Sequence, residues 1–372
     1  MRVLLHETVT GDAVSSDLDV TEATWSTGVC RADEVRAVVP GYTGKSIWQY
    51  MVPRKFTISI SDDDRRVRAA GMLSIPVADS RDDGMHRVTL PGAGIESIFE
   101  RRYVLPPAYW PLVDAEGNPI AARDTRITGV EYGTMMKRLY QQAMSHPGAA
   151  LPVSWEPDRS GSRQGEWSAI DGKPVQEAVA DIADLEGGVE WDWVPQLDEN
   201  DRLTWSLITA RDSVQEITSA FWHTWQVGGE EPDLRELQVK VSPEFMVQTA
   251  FMAGGRRGDQ VMLARATGSD LIDAGLPLSE DWDSSHSSVS VQATLDSWAR
   301  RRLDEGAAPV QYWRAEVRAD RAAGLRHGDW CTIEVLDHWL IPDGSYERRI
   351  LEVSGTSDSE WLGVVVAGMS TW

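Results

Sequence analysis

Four short stretches carry residue types that could do chemistry. The first, Gly41-Tyr-Thr-Gly-Lys-Ser46, has the glycine, lysine and hydroxyl that end a phosphate-binding loop. A complete loop needs another glycine five residues before Gly44, so that successive N–H groups curl around the phosphates, and that position is Val39. It also needs a long helix behind Ser46, and Pro53 falls too close for one. The spacing therefore predicts a glycine turn between two strands and no nucleotide chemistry. The second is His327, Asp329, Asp337 and His338, imidazoles and carboxylates that could hold a metal. Gly328-Asp329 reads as the turn before the strand WCTIEVL and Asp337-His338 as its far end, so the halves should lie a strand's length apart and serve turns.

The third is Glu190 and Asp192, alternating with Trp191 and Trp193 as acids do in a glycosidase cleft. The same alternation fits the solvated face of a hairpin whose other face is buried. The fourth, Arg257-Gly258-Asp259, spells an adhesion tripeptide inside the glycine loop GGRRGD and is read as loop. No GxSxG elbow, HExxH helix or dinucleotide fingerprint occurs. The expectation is of no catalytic residue, no cofactor-binding residue and no metal site, hence of a protein that is not an enzyme.

The charge points away from nucleic acid and anionic lipid. Of 372 residues, 58 are acidic and 36 basic, a formal −22 spread through the chain, whereas affinity for phosphates comes from Lys and Arg. Cys30 and Cys331, the two cysteines, are far apart and match no ligand pattern, so they are expected to be buried free thiols in a reducing compartment. No stretch reads as a signal peptide or a membrane span, so no stable membrane insertion is expected. Seventeen tryptophans scatter without a period among aliphatic residues, as core and interface anchors do.

The elements that must position these residues are mostly strands. EVRAVVP, FTISISD, RRVRAAGMLSIPV and HRVTL are short runs rich in Val, Ile and Thr, separated by turn clusters such as DSRDDG, and Gly71 marks a bulge or a close backbone approach. Helical spacing follows at Met136, Leu139, Tyr140 and Ala143, and again at Val175, Val179, Ile182 and Leu185, opened by Pro174 and closed by Gly187-Gly188. Residues 155–172 are polar and glycine-rich and read as a loop or a domain edge. VEWDWV and RLTWSLI read as a hairpin burying Trp191, Trp193 and Trp205 across the turn DEND. SDLIDAG reads as a Ser-capped helix, and Leu295, Trp298 and Leu303 share one side of another before the strands VQYWRAEVRA, WCTIEVL, RRILEVS and WLGVVVAG. The predicted fold is β-rich α+β: a first β-barrel-like domain over 1–105, a mixed α/β insert over 106–207, and a second β-barrel-like domain with helical insertions over 208–372.

In this order RRVRAAGMLS, GAGIESIFERRYV, LEGGVEWDWVP and GLRHGDWCTIEVLDHWL with SYERRILEVS resemble the minor tail proteins of long-tailed actinobacteriophages. These form the tail-tip or baseplate hub group, similar in fold to the hub of contractile T-even phages. The resemblance implies a structural homotrimer whose ring continues the tail tube. The distal tail protein would sit above it, tip or fibre proteins below, and the tape measure protein within reach. It also implies a place in the virion tail tip after assembly in the bacterial host cytoplasm, and an acidic channel that DNA passes without specific binding. The rival expectations are a cell-wall glycan hydrolase using Glu190 or Asp192, and a Trp-based carbohydrate-binding protein for host recognition.

Overall fold

The computed structural model describes every residue except 16, 63, 81–85, 219–220, 244, 258–259, 287–290 and 370–372, and the side chains of 43–44, 256–257, 260, 285–286 and 369. The adhesion-like tripeptide and most of the DSRDDG turn thus lie outside the described residues. The chain opens with β1 (Arg2–Glu7), β2 (Glu22–Gly28), β3 (Glu34–Pro40), a helix α1 (Gly41–Ile47), β4 (Phe56–Ser61), β5 (Val67–Leu73), β6 (Val77–Asp79) and β7 (Arg87–Ala93). A mixed region follows with α2 (Glu96–Phe99), β8 (Thr125–Val130), α3 (Tyr132–Met144), β9 (Val153–Trp155), β10 (Ser160–Trp167), α4 (Val175–Ala183), β11 (Trp191–Leu197) and β12 (Leu203–Thr209). The remainder holds β13 (Trp222–Val227), β14 (Leu234–Ser242), β15 (Thr249–Arg257), β16 (Gln260–Thr267), α5 (Asp270–Asp273) and β17 (Glu280–His286). It closes with α6 (Gln292–Glu305), β18 (Val310–Arg318), β19 (Trp330–Val335), β20 (Gly344–Thr356) and β21 (Trp361–Met369).

The fold is β-rich α+β, as the strand patterns predict. Strands β20, β19, β13, β14, β18 and β21 pair in that order, and β21 pairs back onto β20, closing a six-strand barrel. Strands β1, β4, β5, β7, β3 and β2 form a second run, joined to the barrel because β2 pairs with β20. The junction is one strand wide. β20 pairs with β19 over Gly344–Arg349 and with β2 over Glu352–Thr356, and its ladder to β21 shifts register between Ile350 and Glu352. A bulge bends a strand and increases its twist, so this one lets a single strand serve two β units. One apolar cluster runs through both, from Leu5, Ile58 and Leu90 to Trp225, Trp313 and Val364.

The mixed region has its own core. Tyr140 of α3 meets Phe99 edge-on at 4.6 Å and Trp193 at 5.1 Å, and Phe99 stacks on Trp193 at 5.9 Å. Edge-on and offset contacts suit aromatic quadrupoles, and the Tyr140 hydroxyl donates to Gln176 Oε1 at 2.9 Å, which satisfies its polar end. Trp191, Trp193 and Trp205 are buried on one face of the β11–β12 hairpin, as its alternation predicts. A third, smaller core forms where Leu295, Trp298 and Ala299 of α6 cover Ala250, Met252 and Ala264 of the β16–β15–β17 sheet.

Four local expectations need revision or sharpening. GYTGKS is not a turn between strands but the seven-residue α1, because Ile47 is buried in the core and Pro53 lies beyond the single 3-10 turn at Trp48–Tyr50. At its start Pro40 has no N–H, and that of Gly41 donates to the His86 carbonyl at 2.8 Å. The polar segment 155–172 holds β10, paired with β8; no residue of β10 is fully buried, so no apolar alternation announced it. Ser269 precedes α5 without a side-chain capping bond. At Gly71 the requirement is close approach, since a Cβ there would lie 2.7 Å from the Gly92 carbonyl carbon.

Trp205 is 1% exposed, and emptying such a site typically costs about 3 to 5 kcal/mol. Trp205→Ala is expected to lose that much in chemical denaturation; an unchanged midpoint would contradict the hairpin's place in the core.

Candidate functional site

Of the chemistry-bearing residues, Glu190, Asp192 and His327 converge where β11, β2 and the bulge of β20 meet. Glu190 and Asp192, expected on a solvated face, instead point into this junction with side chains 20% and 13% exposed. The reason is tertiary: the polar face of the hairpin packs on the barrel, which supplies counter-charges. Both terminal nitrogens of the Arg349 guanidinium donate to the Glu190 carboxylate, a bidentate pair, and the Ile217 N–H donates to Glu190 Oε2 at 2.8 Å. Arg349 also reaches the carbonyls of Ile217 at 3.2 Å and Gly328 at 3.4 Å. Burial lowers the guanidinium pKa, and Glu190 more than restores it, leaving it raised.

His327 forms the second tie. Its Nε2 lies 2.9 Å from Asp192 Oδ2, and its Nδ1 is 3.0 Å from Thr27 Oγ1 on β2. Burial works against its charge, but Asp192, by its charge and its hydrogen bond, leads the groups that outweigh it and raise the pKa above the ordinary histidine value. The backbone sets this position. Gly328, at φ +85°, turns the chain into β19, its N–H donates to the Ile350 carbonyl at 2.7 Å, and the Ile350 N–H donates to the Asp329 carbonyl at 2.8 Å. Asp337 and His338 lie past the other end of β19, so the strand separates the two halves of the quartet, as expected. The Asp337 N–H donates to Asp343 Oδ1, and His338 Nδ1 accepts the N–H of Ile341 at 3.0 Å.

Two further carboxylates sit against this junction, and the sequence reading did not single them out. Asp33 is 7% exposed and Glu96 4%. Burial pushes both pKa values well above the carboxylate range, and Asp33 is raised further by Glu96 and Asp192. Gly94 makes room for them, since a Cβ there would meet Glu96 Oε2 at 2.4 Å and the Asp33 nitrogen at 2.7 Å. Asp329 is 1% exposed, with His223 Nε2 3.7 Å away. Cys30 and Cys331 are free, half-buried and buried respectively, and burial pushes both thiols up to about 12. The acids of the hydrolase expectation are thus engaged in ion pairs inside a junction. Among the described residues no group of three His, Cys, Asp or Glu side chains is placed to hold a metal.

The outer surface offers aromatic contacts instead. Trp339 is 86% exposed in the loop joining β19 to β20, and Tyr42, Trp48 and Trp110 are exposed elsewhere. Trp222 stacks on Trp330 at 6.2 Å and Phe251 on Trp282 at 5.0 Å.

The sequence matches no protein family and no curated protein. The fold, however, is shared with solved structures. A tail protein from Neisseria meningitidis aligns with a TM-score of 0.58 at 11% identity, covering 99% of this chain and 97% of that one. The 43 kDa tail protein of prophage MuSo2 from Shewanella oneidensis gives 0.55 at 10% identity, covering 99% and 98%. An Escherichia coli component of the type VI secretion system, described as similar to the T4 tail proteins gp27 and gp5, gives 0.51 at 10% identity, covering 96% and 75%.

The junction acids and His327 give stability one sign of pH dependence. A raised histidine pKa contributes stability that is complete below about pH 6.5 and lost as pH rises through the folded value. Asp33 and Glu96 hold protons in the folded chain above about pH 4, where the unfolded chain releases them, so their raised values also destabilise as pH rises. The unfolding midpoint is expected to fall from about pH 6 to about pH 9, and Asp33→Asn to flatten that slope. A midpoint that rises with pH, or an unchanged slope in the variant, would contradict this reading.

Proposed function

We propose that this chain is a structural component of a long-tailed phage-type tail, a hub at the tail tip whose three copies form a ring continuing the tail tube. The observation that carries the reading is the stitching of two β units into one chain through β2 and β20, in a chain with the fold of phage tail proteins. Three chains then present six β units around a pore, which lets a three-fold ring meet a six-fold tube. On this reading residues 1–105 and 208–372 supply the ring and 106–207 the spacer. A wall drawn from a chain of formal charge −22 lets DNA pass without holding it.

The partners on this reading are two further copies of the chain, the distal tail protein, the tape measure protein and tip or fibre proteins. The exposed Trp339, Trp48 and Trp110 suit such contacts, because buried aromatic anchors carry much of the energy of protein interfaces. The chain has no catalytic, cofactor or metal role here, and its place is the virion tail tip, after assembly in the host cytoplasm.

The mass of the purified assembly tests this directly. A particle of three chains is expected, and a strict monomer or a six-chain ring would overturn the hub reading. Trp339→Ala should stay within about 0.5 kcal/mol of the parent in stability, as surface changes do, while incorporation into tails falls. Full incorporation of that variant would remove Trp339 from the interface.

A further inference from the structure

Four arginines line a cavity of about 340 Å³ between β5, β11 and the segment before β19: Arg65, Arg66, Arg68 and Arg326. In a chain of formal charge −22 such a concentration needs a reason. Two of them are neutralised within the fold. Arg65 reaches Asp201 Oδ1 at 2.6 Å, and Arg68 reaches Asp62 Oδ2 at 3.2 Å. The other two are not. Arg66 Nη2 donates to the main-chain carbonyls of Gly324 at 3.0 Å and Leu325 at 3.3 Å, which orient the guanidinium without matching its charge. The exposed Arg326 guanidinium has no hydrogen bond or ion pair among the described residues.

The consequence is visible at Arg66, whose pKa is depressed by burial and then by Arg326 and Arg68, against the weaker pull of Asp62 and Asp329. The acids lining the cavity do not cancel this surplus. Burial holds Asp33 toward its protonated form, and Asp192 is matched by His327. The planar guanidinium fork fits carboxylate and phosphate oxygens in pairs, which a point charge does not. The volume falls at the small end of ligand pockets, which run from about 300 to about 1,000 Å³. Trp25, Leu325 and Val353 give it apolar wall for a carbon skeleton.

We propose that this cavity is an oxyanion-binding site, with Arg66 and Arg326 gripping a carboxylate or phosphate group. The group can be borne by a small free anion or by an acidic segment of a neighbouring chain, and both present the same chemistry to the guanidinium pair.

The full-length chain is titrated calorimetrically with citrate, inorganic phosphate and a hexaglutamate peptide, at ionic strength held constant with sodium chloride. At least one probe is expected to bind and to raise the melting temperature. Arg326→Ala should weaken that binding at least tenfold, and Arg326→Gln should do the same if the alanine variant folds poorly. Arg126→Ala, which removes a surface pair with Glu166, should leave it unchanged. Tightest binding of the peptide assigns the site to a neighbouring chain's acidic segment, and tightest binding of citrate or phosphate assigns it to a free anion. No binding beyond the chloride control, or equal binding by the parent and both Arg326 variants, overturns the proposal.

Discussion

The bulge of β20 is the constraint on which the rest of the molecule depends. Before it the strand pairs with β19 and after it with β2, while its ladder to β21 runs across the register shift at Leu351, so one strand belongs to the closed barrel and to the second run at once. The flanking residues also carry the polar ties. Arg349 holds Glu190 of the hairpin, and the Ile350 backbone fixes Gly328 and Asp329, which place His327 against Asp192 and Thr27. The barrel, the second β run and the hairpin are thus joined within three residues.

Ion pairs in such a place contribute less to net stability than their number suggests, because removing charges from water costs several kcal/mol per ion and the attraction returns little more. Their stronger effect is on alternatives. Sliding or rotating the hairpin on the barrel would strand Glu190 or Arg349 as a buried unpaired charge, a cost of about 3 to 5 kcal/mol. The apolar faces of Trp191 and Trp205 supply the burial, and the polar face selects the orientation.

Much of this was legible in the sequence because apolar periodicity is local. The alternation of Trp191 and Trp193 with acids, the spacing of Met136, Leu139 and Tyr140, and the strand–turn pattern around Gly328 led to elements that the structure contains. Elements without an apolar signature were missed: β10 is polar up to Trp167, and among the described side chains of α1 only Ile47 is buried. The junction was illegible for a different reason. Glu190 and Arg349 stand 159 positions apart, His327 and Thr27 stand 300 apart, and in each local pattern these residues look like a strand's solvent face or a turn. A charged residue in a strand reads as outward-facing until the fold brings another charged surface over it.

The central claim is that one chain contributes two β units to a ring. Cryo-electron microscopy of the purified assembly, averaged without imposed symmetry, tests it most directly. The account predicts three chains around a pore, with the β1–β7 run and the six-strand barrel alternating to give six β units facing the lumen. Six chains in the ring, or one β unit per chain at the lumen, would contradict it.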